Sequence, residues 1–514
     1  MGRWRSVSHD QYIPGLAHFN GGMNHQVVTR MTRHGDRRPG QPTVLLDGPD
    51  ADIDKPASAL RLMHRCRAAI TEAGDDDGIG TADRTNNLVL SHGVLHSVHD
   101  RAPHHGLSTG LSTTSILVTM RTQVAIVGAG PAGTLLALLL HGAGIDSVVV
   151  ERQSRQHVLD RVRAGVLEWG TVGVLRDAGL AVNMDRNGVV HNGARMAWGG
   201  RSLFFDIAAR THRHFMAYGQ APLQRDLYDA ADASGLTIID RTTEVVPHDV
   251  TTASPYLTYR KEGREDRIDA DYIVGSDGYH GVCRSIIPTH AVRTYEKEYP
   301  FGWLGVLSET PPLHDLVYCN HARGFALASQ RNSMLSRYYV QCPLEDRVED
   351  WPDDRFWNEL LTRFPEDLQH QIVTGPTIEK SIAPLRSFVA EPLRYGNMFL
   401  AGDAAHIVPP TGAKGLNLAV SDVYYLSRGF ADHYLHHDDR ELDRYSEVAL
   451  KRIWGAVRFS WWMTTLLHRF PHQTEFDQRM QEAELDYIAE SEHAQSALSE
   501  QYAGLPFERS LRDA

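Results

Sequence analysis

The sequence has few cysteines, no long apolar run and no excess of positive charge, and each absence excludes a class of protein. Its four cysteines lie far apart without a Cys-x-x-Cys pair, so we predict neither a disulfide framework nor a zinc site, and a reducing cytoplasm is expected. The best apolar stretch, at 135–150, is interrupted by polar residues and glycine, and the N-terminus has no signal pattern, so we predict no membrane span and no secretion. The net charge of -12 disfavours binding to nucleic acid or anionic membranes.

What is present is the composition of an ordinary globular protein, with 42% hydrophobic and 23% charged residues. A chain of 514 residues exceeds one compact core, which predicts two or three domains. Residues 1–119 differ from the rest because they are rich in histidine, arginine, aspartate and glycine and lack periodicity. They predict either a disordered extension or a misassigned start, with translation beginning at Met120. No metal site is predicted there, because carboxylate or cysteine partners at ligand spacing are missing beside His96, His99, His104 and His105.

A dinucleotide-binding pattern opens the well-patterned part of the chain. An apolar run, the glycine motif GAGPAG at 128–133, a helical pattern and a second apolar run ending at Glu151 follow in that order. In such a unit Gly128 permits a tight turn, Gly130 lets the backbone approach a pyrophosphate, and Gly133 lets the helix pack on the strand. The helix N-terminus attracts phosphates, and the Glu151 carboxylate suits the ribose hydroxyls.

Two further segments indicate which dinucleotide is bound. Asp277 ends the strand pattern ADYIVGSDG at 270–278, and Asp403 lies in NMFLAGDAAH at 397–406. In this order after the glycine motif, they resemble the flavoprotein aromatic hydroxylases. The resemblance runs from Met120 to about Glu508, and its most specific stretches are RVRAGVLE at 161–168, YPFGWLG at 299–305, SQR at 329–331, SRYY at 336–339, the segment 402–417 and FSWWM at 459–463.

The resemblance implies an α/β fold with a Rossmann-like FAD-binding domain, an inserted, mainly antiparallel-sheet substrate domain and a helical C-terminal segment. We expect the FAD-binding domain to comprise residues 120–190, 216–297 and 384–466. The substrate domain is then 191–215 and 298–383, and the C-terminal segment is 467–514. The resemblance also implies a cytoplasmic homodimer that uses FAD, O₂ and either NADPH or NADH.

The implied activity is hydroxylation of 4-hydroxybenzoate at its 3-position to 3,4-dihydroxybenzoate. Ser329, Arg331 and Tyr339 match the positions that bind the substrate carboxylate. A guanidinium and two hydroxyl groups suit that anion, since the guanidinium forms a planar, charge-assisted pair with it. By themselves, an arginine and a tyrosine on a strand are more often an exposed ion pair and a residue at the edge of the core.

Tyr318 and Tyr502 match the pair that relays the substrate's phenol proton, and the carbonyl group of Pro410 matches a second acceptor for that phenol. The ordinary pKa of a tyrosine is about 10, comparable with that of a phenolic substrate. We therefore expect the pair to pass a proton with little mismatch. Since Tyr502 lies near the C-terminus of the sequence, we also expect the last segment to fold back over the site.

The remaining cofactor residues are implied by the resemblance alone. His280, Arg386 and Arg163 match nicotinamide-cofactor contacts. The helix expected to open at 413–418 would direct its N-terminus at the flavin and stabilise the negative charge of its reduced form. The segment RQSRQH at 152–157 offers basic side chains for a 2′-phosphate, but His157 replaces the tyrosine of NADPH-specific members, so the coenzyme stays open. The expected FAD contacts besides the glycine motif and Glu151 are Arg152, Arg163, Gln220, Arg337, Asp403 and Asn417.

Three alternatives remain at this point. The same fold and chemistry suit another substituted benzoate, since the carboxylate-binding residues do not identify the ring's other groups. A flavin-binding redox sensor without turnover is disfavoured, because a sensor needs no proton relay such as Tyr318 and Tyr502. A non-flavin NAD(P)-dependent dehydrogenase is disfavoured by the segment that contains Asp403.

Overall fold

The structure is a computed structural model that describes residues 119–160, 165–508 and 510–511. The prediction for residues 1–119 therefore lies outside the described residues except at Thr119, and so do Cys66 and the predicted cofactor residue Arg163. The other three cysteines, Cys283, Cys319 and Cys342, are free and buried.

Strands from all parts of the described chain form four sheets. In chain order the strands are β1 (Thr119–Arg121), β2 (Val124–Val127), β3 (Ser147–Val150), β4 (Val166–Glu168), β5 (Val189–His191), β6 (Gly193–Trp198), β7 (Arg201–Asp206), β8 (Phe215–Ala217), β9 (Thr237–Ile239), β10 (Thr243–His248), β11 (Tyr256–Lys261), β12 (Arg264–Asp269), β13 (Tyr272–Gly275), β14 (Arg293–Ser308), β15 (Val317–Cys319), β16 (Ala326–Asn332), β17 (Leu335–Cys342), β18 (Thr377–Glu391), β19 (Arg394–Tyr395), β20 (Met398–Leu400) and β21 (His406–Ile407).

The helices lie between these strands and at the C-terminal end. They are α1 (Pro131–Gly142), α2 (Arg155–Leu159), α3 (Trp169–Asp177), α4 (Val182–Asn187), α5 (Ile207–Thr211), α6 (Gln220–Ala233), α7 (Val282–Ser285), α8 (Asp353–Arg363), α9 (Glu366–Gln369), α10 (Gly415–His436), α11 (Arg440–Leu467), α12 (Glu475–Glu490) and α13 (Glu492–Ala503). Short 3-10 turns occur at Val348–Asp350, Gly402–Ala404 and Pro410–Gly412.

The first large sheet is the dinucleotide-binding sheet, with the strand order β19-β20-β13-β2-β3-β9. Its strands β20, β13, β2, β3 and β9 are parallel. Strand β2 is buried along its whole length, because helices cover parallel sheets and make their strands continuously apolar. Helix α1 packs against both α6 and α10. The predicted strand–helix–strand unit is therefore present at the centre of this sheet.

The second large sheet is mainly antiparallel, with the order β21-β18-β14-β17-β16-β15-β6-β7. Its long strands β14 and β18 pair along most of their length, and the pairing of β15 with β6 is parallel. Helices α11, α12 and α13 follow in sequence, and α13 packs against α5 and β7. The α/β fold class with an antiparallel-sheet region and C-terminal helices is thus confirmed, while the domain boundaries stay a prediction.

The described part of the chain can be assessed for membrane-spanning helices and for metal-binding clusters. None of its helices combines the length and the apolar character that a bilayer span requires. No group of three or more histidine, cysteine, aspartate or glutamate side chains in the same residues is arranged to hold a metal ion.

Candidate active site

A cavity of about 700 Å³ lies between the dinucleotide-binding sheet and the antiparallel sheet. Its wall combines the turn after β2, the end of β3, the first residues of α6 and α10, and side chains of β14, β17 and β18. The cavity is therefore lined by segments that are far apart in the sequence. The predicted site residues that line it are Gly128, Gly130, Glu151, Arg152, Gln220, His280, Arg337, Tyr339, Asp403 and Pro410.

The glycine motif leaves space for a phosphate group. Gly128 has a φ of +103°, and a Cβ atom there would lie 2.4 Å from the carbonyl oxygen of Ser276. A Cβ atom at Gly133 would lie 1.9 Å from the carbonyl oxygen of Gly128, whereas nothing lies within 4 Å of one at Gly130. Gly130 also has no side chain to cap α1, so the first amide groups of that helix remain available to an anion. These features fit the pyrophosphate of FAD.

Glu151 is held in one orientation at the end of β3. One of its carboxylate oxygens accepts a hydrogen bond from the amide of Ala129 at 2.8 Å, and the other accepts from the amide of Gln153 at 2.8 Å. Each oxygen keeps a second lone pair. The carboxylate is therefore positioned to accept hydrogen bonds from ribose hydroxyl groups in the cavity.

The turn that contains Asp403 is supported from behind by a buried ion pair. The Asp422 carboxylate accepts hydrogen bonds from the amide of Gly402 at 2.9 Å and from Nε2 of His406 at 2.6 Å. Burial alone would lower the pKa of His406, but the charge and hydrogen bond of Asp422, together with the charge of Asp403, outweigh burial and raise it. Asp403 therefore lies on a turn that is fixed by a charged pair, and the sequence carries no motif that connects Asp422 with it.

A second helix N-terminus reaches the cavity at α10, which begins at Gly415 rather than at the predicted 413. The preceding residue, Lys414, has an ammonium group that cannot accept from the first helical amides. The side chain of Asn417 does not line the cavity. Its oxygen accepts from the amide of Glu168 at 2.9 Å and from Thr171, and its nitrogen donates to backbone carbonyls. The expected flavin contact of this residue stays a prediction.

The predicted carboxylate-binding residues lie on the neighbouring strands β16 and β17. Tyr339 lines the cavity, and the ring packs opposite Gly305, where a Cβ atom would lie 2.7 Å from it. Arg331 has a buried Nε atom without a hydrogen-bond partner among the described residues. Burial lowers its pKa and the neighbouring Tyr339 partly opposes this change. Ser329 donates to the carbonyl of Arg337 at 3.1 Å, so its hydroxyl is already engaged.

Tyr318 and Tyr502 meet in the interior, as the resemblance implied. Their hydroxyl oxygens lie 2.8 Å apart, although the residues are 184 positions apart in the sequence. The rings of Phe205 and Phe215 pack edge-on against Tyr502. Burial raises the pKa of both tyrosines well above the ordinary value. The two hydroxyls are therefore neutral groups that pass a proton by giving one as they accept another, and the match of their pKa with that of a bound phenol stays a prediction.

Known proteins share much of this sequence and its fold. A family model described as FAD binding domain matches residues 121–460. The chain is 50% identical over 392 residues to the p-hydroxybenzoate hydroxylase of Acinetobacter baylyi, which covers 76% of this chain and 97% of that protein. The chain belongs to the class A flavoprotein aromatic hydroxylases. This hydroxylase is therefore an FAD-dependent enzyme.

More distant relatives share parts of the same architecture. The hydroxylase is 28% identical over 326 residues to the 3-(3-hydroxy-phenyl)propionate/3-hydroxycinnamic acid hydroxylase of Burkholderia cenocepacia, covering 59% of this chain and 56% of that one. Among solved structures, the p-nitrophenol 4-monooxygenase of Pseudomonas putida superposes with a TM-score of 0.61 at 18% identity, covering 76% of this chain and 99% of that chain. At this identity the superposition shows the fold alone.

The residues expected at the nicotinamide cofactor are only partly together in the hydroxylase. His280 lines the cavity, and its ring packs edge-on against Tyr279 at 4.8 Å. Arg386 is not part of the wall. Its guanidinium group lies over the Tyr279 ring at 4.6 Å and pairs with Glu296 and Glu298 at 3.1 and 2.8 Å. These two ion pairs use two of the five N–H donors of the guanidinium group, and the others remain for a dinucleotide phosphate.

Sequence reasoning missed a buried ion cluster behind the relay of the hydroxylase. The Glu168 carboxylate accepts from Lys414 at 2.6 Å and from Arg452 at 2.8 Å. Burial lowers the pKa of Lys414, and the Glu168 charge opposes that change. Glu168 lies on β4, Lys414 precedes α10 and Arg452 lies on α11, so no local sequence pattern predicts the cluster.

Proposed function

We propose that this hydroxylase converts 4-hydroxybenzoate to 3,4-dihydroxybenzoate with FAD, O₂ and NAD(P)H. The observation that carries the proposal is a row of residues across the antiparallel sheet. Tyr318 is opposite Leu327, Leu327 is opposite Tyr339, Tyr339 is opposite Gly305, and Gly305 is opposite Ser381. Residues opposite each other share a face of the sheet. Tyr339 and Ser381 line the cavity, and Tyr318 lies farther along the same face, beyond the cavity wall.

The spacing within this row suits a benzoate ring. Tyr318 and Tyr339 are two strands apart, which corresponds to about 10 Å along the sheet. Ser329 follows Leu327 at an interval of two residues on β16, so alternation directs it to the same face. The register with β17 shifts between Gln330 and Asn332, and Arg331 is instead placed beside this face by its side-chain hydrogen bond with Tyr339. A molecule with a carboxylate at one end and a phenol at the other would therefore meet Arg331 and Tyr339 at one end and the tyrosine pair at the other.

Different side chains of the protein bind the substrate and transfer its phenol proton. Arg331 and Tyr339 bind and orient the carboxylate, which fixes the ring, and Ser329 joins them when its hydroxyl turns from the Arg337 carbonyl to the carboxylate. Tyr318 accepts the phenol proton as it donates its own to Tyr502, and Tyr502 in turn releases its hydroxyl proton to water at the far end of the relay. The resulting phenolate is electron-rich at the carbon that is hydroxylated. The carbonyl of Pro410 already accepts from the amide of Ala413 at 2.9 Å and keeps a second lone pair for the phenol.

The residues that fit FAD are the glycine motif, Glu151, Arg152, Gln220, Arg337, Asp403 and the N-termini of α1 and α10. When bound, the flavin supplies electron transfer from NAD(P)H and the activation of O₂. The burial of the tyrosine pair excludes water from the phenol end, which protects a reactive site from wasteful side reactions. Asn417 holds the start of α10 through its side chain and any flavin contact would use its backbone.

The reductant, the oligomeric state and the location complete the proposal. NADPH or NADH would bind beside His280, with Arg386 and Arg163 as further contacts, and the basic segment at 152–157 leaves both coenzymes open. A cytoplasmic homodimer follows from the family resemblance. The division into an FAD-binding domain, a substrate domain and a C-terminal segment agrees with the two large sheets and the final helices.

The test is NAD(P)H oxidation by the purified, FAD-loaded protein with and without 4-hydroxybenzoate, with 3,4-dihydroxybenzoate measured by chromatography. We expect the substrate to accelerate oxidation strongly and product to appear in step with it. A panel of other benzoates in the same assay tests the substrate assignment. Oxidation that is indifferent to 4-hydroxybenzoate, without product, would overturn the substrate while leaving the flavoprotein fold intact.

A further inference from the structure

The backbone carbonyl groups of Tyr502, Gly504 and Leu505 accept hydrogen bonds from cationic side chains of other parts of the chain. Tyr502 lies in the last turn of α13, where backbone carbonyls have no partner within the helix. Lys414 donates to the Tyr502 carbonyl at 3.0 Å. Arg213 donates to the Gly504 carbonyl at 3.1 Å, and Arg452 donates to the Leu505 carbonyl at 2.5 Å. Cations at a helix C-terminus are also favoured by the helix dipole.

These three donors come from separate elements, so they tie the end of α13 to the body of the molecule. Arg213 follows α5, Lys414 precedes α10 and Arg452 belongs to α11. The chain turns sharply at Gly504, which has a φ of +87° and passes so close to Glu168 that a Cβ atom would lie 2.0 Å from its carboxylate. The path of the chain after Tyr502 is therefore determined by contacts and not by the helix itself.

Aromatic packing alone does not set the distance between the two relay hydroxyls. Phe205, Phe215 and Phe459 surround the Tyr502 ring edge-on, and apolar contacts of this kind lack a fixed direction along the helix axis. Hydrogen bonds to the backbone on either side of the last turn are directional. They restrict sliding of α13, and sliding would change the 2.8 Å separation between the hydroxyls of Tyr318 and Tyr502.

We propose that Arg213 and Arg452 are positioning residues for the second tyrosine of the relay. By binding the carbonyl oxygens of Gly504 and Leu505, they hold the last turn of α13 so that the Tyr502 hydroxyl stays within hydrogen-bond distance of Tyr318. This inference rests on the proposed function, because it gives the two arginines a role in the proton relay of that reaction. Neither arginine touches the substrate.

The decisive variant is Arg213→Met, which keeps the apolar stem and removes the donor to Gly504. Arg458→Met is the matched control, because Arg458 lies on α11 and binds the side chain of Gln501 on α13 without contacting the carbonyls after Tyr502. Both proteins are loaded with FAD and 4-hydroxybenzoate without NAD(P)H. The fraction of bound substrate present as phenolate is read from its absorbance at one fixed pH near the wild-type midpoint.

We expect Arg213→Met to lower the phenolate fraction and to reduce product formation by about tenfold, since misplacement by about 1 Å can cost up to about a hundredfold. FAD content and substrate Kd should stay as in wild type. Arg213→Lys, which keeps a cationic donor, should recover part of the loss. The same Arg213→Met change in a Tyr502→Phe background should have no further effect, because the hydroxyl that it positions is already absent.

Two results would overturn the inference. One is a phenolate fraction in Arg213→Met equal to that of wild type and of Arg458→Met. The other is a loss of equal size in the Tyr502→Phe background, which would make Arg213 a general stabiliser. If Tyr502→Phe itself leaves the phenolate fraction unchanged, the relay in the proposed function fails first and the inference falls with it, so the two failures are distinguishable.

Discussion

At the scale of single residues, the tyrosine pair combines a short hydrogen bond with an environment that excludes water. The hydroxyls of Tyr318 and Tyr502 are 2.8 Å apart, and each residue is only 2% exposed. Because burial raises the pKa of both tyrosines, both hydroxyl groups are protonated. The pair is suited to concerted transfer, in which the phenol loses a proton only when the next group passes one on.

The first residue-scale prediction concerns Tyr318→Phe, which removes one hydroxyl and keeps the packed ring. We expect product formation from 4-hydroxybenzoate to fall by about a hundredfold, within the range that general acid–base groups contribute, with little change in substrate Kd. Chromatography of the product and a binding titration measure the two quantities. Tyr338→Phe is the control, because Tyr338 is fully buried and, as the residue before Tyr339, lies on the opposite face of β17. Equal losses in both variants would contradict the relay.

The second residue-scale prediction concerns the carboxylate end of the site. Arg331→Met should raise the Kd for 4-hydroxybenzoate by roughly tenfold to a hundredfold, because hydrogen bonds to a charged group contribute about 1.5–3 kcal/mol. The neutral analogue 4-hydroxybenzyl alcohol should bind equally to both proteins. Titration of each ligand into the FAD-loaded protein makes the comparison. If both ligands lose affinity to the same extent, Arg331 does not recognise the carboxylate.

At the scale of elements, the close contact between α1 and the turn after β2 depends on a hydrogen atom at Gly133. Gly133→Ala places a methyl group 1.9 Å from the Gly128 carbonyl oxygen, so one segment must move. We expect a loss of about 1–3 kcal/mol in the free energy of unfolding and poor FAD retention. Thermal unfolding and the flavin absorbance of the purified protein measure these effects.

The control for that change lies at the other end of the same helix. Gly142 has nothing within 4 Å of an added Cβ atom, so Gly142→Ala should be neutral or stabilise by up to about 1 kcal/mol. Full FAD retention by Gly133→Ala would show that the turn tolerates a side chain and would contradict the tight packing of α1.

The element that carries Asp403 should respond to pH through its buried ion pair. The raised pKa of His406 means that its contribution to stability is complete below the ordinary histidine pKa of about 6.5 and is lost as pH rises through the raised value. The difference in unfolding temperature between wild type and His406→Gln should therefore shrink as pH increases. Thermal unfolding between about pH 6 and about pH 9 tests this sign. A difference that is constant or grows with pH would contradict a protonated His406.

At the scale of the whole molecule, every candidate site residue lies between Gly128 and Tyr502. The family match covers 121–460, and the Acinetobacter relative aligns over 392 residues. We therefore expect a chain that begins at Met120 to keep its FAD content and its hydroxylation rate. Expression of both forms, followed by flavin absorbance and the product assay, makes the comparison. Loss of FAD in the shorter form alone would assign residues 1–119 a role that the site geometry does not require.

The sequence by itself determined the local features of this protein. These features could be predicted because each depends on neighbours within a few residues. They are the glycine motif, the apolar runs of β2 and β3, and the strand-to-turn segments with Asp277 and Asp403. Family resemblance extended that reading to the relay tyrosines and to the carboxylate-binding residues, and it implied the α/β fold that is confirmed. Turn conformation and strand burial are short-range properties, which is why they appear in the sequence pattern.

Only the tertiary structure decided how distant groups act on each other. The Glu168–Lys414 pair joins residues 246 positions apart, the engagement of the Asn417 side chain depends on β4, and Arg386 is occupied by Glu296 and Glu298. The neutral state of the relay tyrosines follows from their burial, and burial cannot be inferred from the residue type alone. The physical reason is that desolvation and charge pairing depend on three-dimensional packing, so the sequence could name the reacting groups but not their ionisation.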